Sequence, residues 1–79
     1  MQATTRRFTV VIEPDAEVGG YTVEAPAVPG AVSQGDTVEE CLSRITEVIA
    51  LLIASAQANG EPIPEETVPP LMTAVEVPA

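Results

Sequence analysis

The chain contains no histidine, no lysine and no tryptophan, and its only cations are Arg6, Arg7 and Arg44. Without histidine, the commonest general base and metal ligand is missing. Without lysine there is no ammonium to meet a phosphate, and Gly30 and Gly35 fit neither a P-loop nor a dinucleotide fingerprint. A single cysteine, Cys41, excludes an internal disulfide and fits a reducing compartment. It falls on the inner stripe of a helix with no base beside it, so it reads as a small core residue and not a nucleophile. Phe8 and Tyr21 are the only aromatics, so the core must be aliphatic. The longest apolar run, Val48–Ala54, is far short of the roughly 18–20 residues of a membrane span. No signal peptide is visible before Glu13. The expectation is a cytoplasmic protein with no membrane partner.

What is abundant is negative charge. Twelve acidic residues against three arginines give a formal net charge of −9 over 79 residues. Such a surface repels phosphate backbones and anionic membranes, and attracts a basic partner. The length sets one small domain, residues 1–79 with a core of about 6–77. A chain of this size buries only about 60–65% of its unfolded surface, which makes oligomerisation a common remedy. A homo-dimer or higher oligomer is expected.

Phe8–Glu13 is β-branched and alternating, with Phe8, Val10 and Ile12 on one face. Pro14-Asp15 breaks it and Glu17-Val18-Gly19-Gly20 completes a hairpin loop. Tyr21–Ala25 alternates cleanly, Thr22 and Glu24 facing away from Tyr21, Val23 and Ala25. Pro26–Gly30 is turn chemistry, in which Gly30 can take the left-handed region. A short third strand, Ala31–Gln34, should end at Gly35. A helix over about Thr37–Asn59 carries a continuous stripe: Val38, Cys41, Leu42, Ile45, Val48, Ile49, Leu52, Ile53 and Ala56. Asn59-Gly60 stops it. Leu51 projects from the polar side and is a candidate contact for a second subunit. After an acidic proline-rich connector, Val68-Pro69-Pro70 leads into a weakly alternating last strand, Leu71–Val77.

The expected class is therefore α+β, in the order β-β-β-α-β. Three strands form an antiparallel meander, and the helix covers one face. The fourth strand is parallel to strand one or strand three, whichever it lies beside, with a right-handed crossover. The other sheet face, with Val11, Glu13, Thr22 and Glu24, stays open or meets a partner. Those four residues and Leu51 are the candidate contacts.

Pro29, Gly30, Gly35, Asp36, Thr37, Glu39 and Glu40 invite a catalytic reading, but their spacing is that of a helix start. Asp36 and Thr37 are both favoured N-caps, and Glu39 and Glu40 each stand three places after one of them, so either register makes a capping box. The carboxylates also complement the positive end of the helix dipole. No catalytic residue, metal site or cofactor is expected.

Several motifs together, Phe8-x-Val10-x-Ile12-Glu13, Gly19-Gly20-Tyr21, Pro26-x-x-Pro29-Gly30, Ser33-x-Gly35-Asp36-Thr37-x-Glu39-Glu40-x-Leu42 and Gly60-x-x-Ile63-Pro64, resemble the HicB-type antitoxins. The resemblance runs from about Phe8 to Pro64. It implies a partial ribonuclease H-like fold, with strand four beside strand one. It also implies a non-enzymatic antitoxin that binds a small basic mRNA-cleaving toxin of the HicA type and masks its active surface. Many members append a DNA-binding domain, and none is expected in this chain. Two alternatives remain: an orphan oligomeric module binding RNA or a small ligand, and a metal-dependent nuclease using Glu13 and Glu24.

Overall fold

The computed structural model describes residues 5–66 and 70–79. Three strands, β1 (Val11–Pro14), β2 (Tyr21–Glu24) and β3 (Val32–Gly35), precede one helix, α1 (Val38–Ala58). The strands form an antiparallel sheet in the order β1-β2-β3. Val11 stands opposite Glu24 and Pro14 opposite Tyr21, while Tyr21 also faces Gly35 and Glu24 faces Val32.

The first hairpin closes through its aspartate. Asp15 exchanges backbone hydrogen bonds with Gly19 and Gly20, and its carboxylate accepts the N–H groups of Glu17 and Val18 at 3.0 and 3.2 Å. This is an Asx-type turn, the local alternative to a ladder that aspartate offers. Between β2 and β3 the chain folds tightly: Ala25 donates to the Ala31 carbonyl, Val28 to Ala25, and Ala31 to Val28. Gly30 takes φ 86° there, the left-handed region expected of it.

That second turn shortens the strands. β1 was expected over Phe8–Glu13 but is Val11–Pro14, because β2 departs into its turn at Ala25 and offers residues 8–10 no partner. Phe8 and Val10 instead pack half-buried against the core. Pro14 closes β1 and does not break it, which an edge strand permits. Similarly β3 begins at Val32 and not Ala31, whose backbone belongs to the turn.

The core is aliphatic: Val23, Ala25, Val28, Ala31, Cys41, Ile45 and Ile49, with Phe8, Ile12, Tyr21, Val48, Leu52 and Ile53 packed around it. α1 lies across β2 and β3. Its buried line is Cys41, Ile45 and Ile49, spaced by one turn, so only the centre of the apolar stripe is covered. Val38 and Leu42 remain 38% and 43% exposed. By length and composition alone, α1 is apolar enough to cross a membrane, but core helices of globular domains pass the same test, and its central line is buried in this one.

The fourth strand expected at Leu71–Val77 is not formed. These residues make no ladder, and Leu71, Met72, Val75 and Val77 stand 88%, 79%, 82% and 75% exposed. Alternation specifies which side chains a strand would bury, not which edge it meets. Val68 and Pro69 of the expected lead-in Val68-Pro69-Pro70 lie outside the described residues. The connector does return to the segment before β1, where the Glu66 carboxylate accepts the Thr9 N–H at 2.7 Å and also the Thr9 hydroxyl.

Candidate functional site

The strand register brings four of the candidate contacts together. Glu13 stands opposite Thr22 and Glu24 opposite Val11, so the alternation of the pleat places all four on the face turned away from α1. Val32, opposite Glu24 on the other side, joins them. Val11 and Thr22 are half-buried, Glu13 and Glu24 are exposed, and Val32 is 60% exposed. These side chains line one shallow depression. Its centre is apolar and two carboxylates flank it diagonally. Among the described residues the one ion pair is Arg44 with Glu40, so nothing cationic neutralises this face.

Leu51 is 70% exposed but sits on α1, which covers the opposite side of the sheet. It does not share a surface with the other four. Val32 was missed in the sequence because the third strand was too short to read an alternation; its register against Glu24 is the signal that places it.

The residues of the helix start occupy a separate corner. Thr37 is the N-cap, in extended conformation, and its Oγ1 accepts the Glu40 N–H at 3.1 Å. Glu40 reaches back one residue further than a capping box requires, to the Asp36 N–H at 3.3 Å. The same Oε1 pairs with Arg44 Nη2 at 2.9 Å, while Arg44 Nη1 donates to the Gln34 carbonyl at 3.0 Å. Cap, glutamate and arginine thus tie the end of β3 to the first turns of α1. Gly35 sits at a close approach: a Cβ there would stand 3.1 Å from the Cys41 nitrogen and from the Glu40 side chain, so either neighbour would have to give by a few tenths of an ångström. Asp36 and Glu39 are exposed at this corner, and Pro29 with Gly30 lies in the separate β2–β3 turn. Of these carboxylates Glu40 has partners among the described residues, one backbone N–H and one arginine.

Cys41 is fully buried, its Sγ 3.6 Å from the Tyr21 carbonyl oxygen. No cluster of three or more histidine, cysteine, aspartate or glutamate side chains that could hold a metal ion occurs among the described residues. What the molecule offers chemically is a surface: a small acidic sheet face with an aliphatic centre.

Comparison with known proteins adds to this. The family described as HicB_like antitoxin of bacterial toxin-antitoxin system matches residues 8–77. A UPF0150 protein of Synechocystis sp. is 44% identical over 59 residues, which cover 75% of this chain and 73% of that protein. A UPF0150 protein of Thermoplasma acidophilum is 42% identical over 60 residues, 76% of this chain and 86% of the relative. The protein named Antitoxin HicB 1, from Photorhabdus laumondii, is 38% identical over 58 residues, 73% of this chain but only 37% of the longer relative.

Proposed function

Since the chain belongs to the HicB-like antitoxin family of bacterial toxin–antitoxin systems, we propose that it binds a small basic mRNA-cleaving toxin of the HicA type and masks its active surface. The observation that carries this reading is the acidic, helix-free sheet face. A toxin that holds RNA must present cations to phosphates. A face with Glu13 and Glu24 around Val11, Thr22 and Val32 is complementary to such a surface in charge, and its aliphatic centre can be desolvated on contact. Inhibition then needs no chemistry from this chain, only occupancy. The single buried thiol suits the reducing cytoplasm in which messenger RNA is cleaved.

The resemblance to a partial ribonuclease H-like arrangement belongs to the same reading. β1–β3 and α1 supply four of its elements, and residues 71–77 would supply the fourth, parallel strand. The nuclease alternative is weaker, because no third carboxylate joins Glu13 and Glu24 among the described residues.

The test is co-expression with, and co-purification of, a small basic protein encoded beside this chain. Relief of growth arrest by the wild-type chain and its loss in Glu13→Lys/Glu24→Lys support the proposal. Affinity for that protein should fall steeply with added salt. No relief and no complex would favour the second reading, an orphan module binding RNA or a small ligand.

A further inference from the structure

The end of α1 carries the chain's single asparagine, Asn59, and the residue after it is Gly60. Both are exposed. The chain leaves the helix there through a Schellman motif. Gly60 takes φ 68°, its N–H donates to the Gln57 carbonyl at 3.3 Å, and the Glu61 N–H donates to the Ala56 carbonyl at 2.8 Å. The Asn59 side-chain amide donates to the Glu61 carboxylate at 3.4 Å. The bonds that hold the Gly60 nitrogen and the Asn59 amide are thus both longer than the usual range of about 2.7–3.2 Å. A Cβ added at Gly60 would meet nothing within 4 Å, so nothing packs against that side of it.

We propose that Asn59 is a site of spontaneous deamidation in the folded protein, through a cyclic imide formed with Gly60. The Gly60 backbone nitrogen, its proton removed by solvent base, attacks the side-chain carbonyl carbon of Asn59. The new C–N bond closes a succinimide ring, the Cγ–Nδ2 bond breaks, and ammonia leaves with a proton taken from water. Water then adds to either ring carbonyl. Opening at Cγ leaves aspartate; opening at the main-chain carbonyl leaves isoaspartate, whose backbone gains a methylene. One water is consumed, one ammonia is released, and no oxidant is needed. Glycine alone offers this nitrogen without a Cβ crowding the approach. Gln34-Gly35 supplies the contrast: glutamine must close a larger ring, and both residues lie in β3, paired with Thr22 and Tyr21.

At φ −92° and ψ 1° Asn59 holds the Gly60 nitrogen away from its own side chain. Ring closure therefore requires a turn about ψ that breaks the Gly60–Gln57 bond. Opening there is cheap, because helix ends fray at free energies near zero and Ala58, Asn59, Gly60 and Glu61 are all exposed. The products fit the site less well. A new carboxylate joins Glu61 at the negative end of the helix dipole, where the last turn holds no basic residue. The added methylene of isoaspartate shifts Gly60 and Glu61 out of register with Gln57 and Ala56, so both bonds of the motif are lost. The modification loosens the exit from α1 and leaves the sheet face of Glu13 and Glu24 untouched.

Incubation of the native chain at neutral and at mildly alkaline pH, followed by peptide mass spectrometry, tests this. Fragmentation should place a progressive exchange of NH2 for OH at residue 59, faster at the higher pH. Part of the product should accept a methyl group from an isoaspartyl methyltransferase. Gln34 and Gln57 should stay unchanged. Gly60→Ala should slow the conversion at least tenfold, and Asn59→Gln should abolish it while the far-UV circular dichroism is kept. In the isoaspartyl product, amide exchange at Gly60 and Glu61 should quicken at least tenfold. No conversion in native protein, with ready conversion in urea, overturns the proposal, because the cap then protects the site. Conversion as fast in Gly60→Ala as in the wild type, or conversion at the glutamines instead, also overturns it. None of these outcomes depends on whether a toxin is bound.

Discussion

Removing the hydroxyl of Thr37 should destabilise the fold more than removing the charge of Glu40, although Glu40 makes more contacts. Thr37 Oγ1 accepts one of the first-turn N–H groups of α1, which have no partner within the helix. Losing such a cap costs about 1 kcal/mol, within a range of roughly 0.5–2. The Glu40–Arg44 pair is short, 2.9 Å, but its side chains are 36% and 52% exposed. Water and salt screen it to about 0.3–0.5 kcal/mol. Glu40→Gln also keeps an oxygen able to accept the Asp36 N–H, and Arg44 keeps the Gln34 carbonyl. For a domain of this length about 1 kcal/mol corresponds to roughly 4–8 °C in Tm, out of a total stability of about 4–12 kcal/mol. Thermal and urea melts of Thr37→Ala, Thr37→Ser and Glu40→Gln measure the three effects. Serine should be close to wild type, alanine lower by several degrees at any ionic strength, and glutamine slightly lower only at low salt. If serine were as damaging as alanine, or if Glu40→Gln exceeded Thr37→Ala in high salt, the assignment of the capping energy would be wrong.

Two glycines in one hairpin should differ sharply. Gly20→Ala puts a Cβ 2.6 Å from the Gly35 carbonyl oxygen as well as straining φ at 71°, whereas Gly19→Ala, with φ 84°, meets nothing within 4 Å. Urea titration should show a loss of about 1 kcal/mol for Gly19→Ala from backbone strain, and a clearly larger one for Gly20→Ala; equal losses would remove the close contact as a cause. Ile45→Ala, at a side chain only 2% exposed, should cost about 2–5 kcal/mol. Leu51→Ala, at 70% exposure, should change the same melt by less than about 0.5 kcal/mol. Cys41 should resist a thiol reagent in native protein and react fully in denaturant; stoichiometric labelling without unfolding would contradict its burial.

Much of the fold was legible because it rests on local chemistry. Thr37 and Asn59 bound the helix where capping and stop signals placed them, and the pleat put Val11, Glu13, Thr22 and Glu24 on one face because a period of two leaves no other choice. The errors arose where a neighbour decides. Phe8–Val10 has the composition of a strand, but β2 turns away at Ala25 and leaves it unpaired. Leu71–Val77 has the alternation of a strand but stands in no ladder in the structure. Leu42 belongs to the apolar stripe by spacing, yet the sheet is too narrow to cover it. The candidate face is assembled by three strands, and only two of them alternate strongly enough to be read along the chain, so Val32 came from the register.

Each strand of this protein pairs with the one before it, and the helix settles on the two strands it has just followed. The structured unit from Val11 to Ala58 therefore closes by a succession of short loops, with no distant segment to wait for. Folding rates track the sequence separation of contacts because the entropy of closing a loop must be spent before the contact repays it. A molecule wired this way should recover its shape quickly after dilution from urea, and should do so without help from the residues that follow the helix.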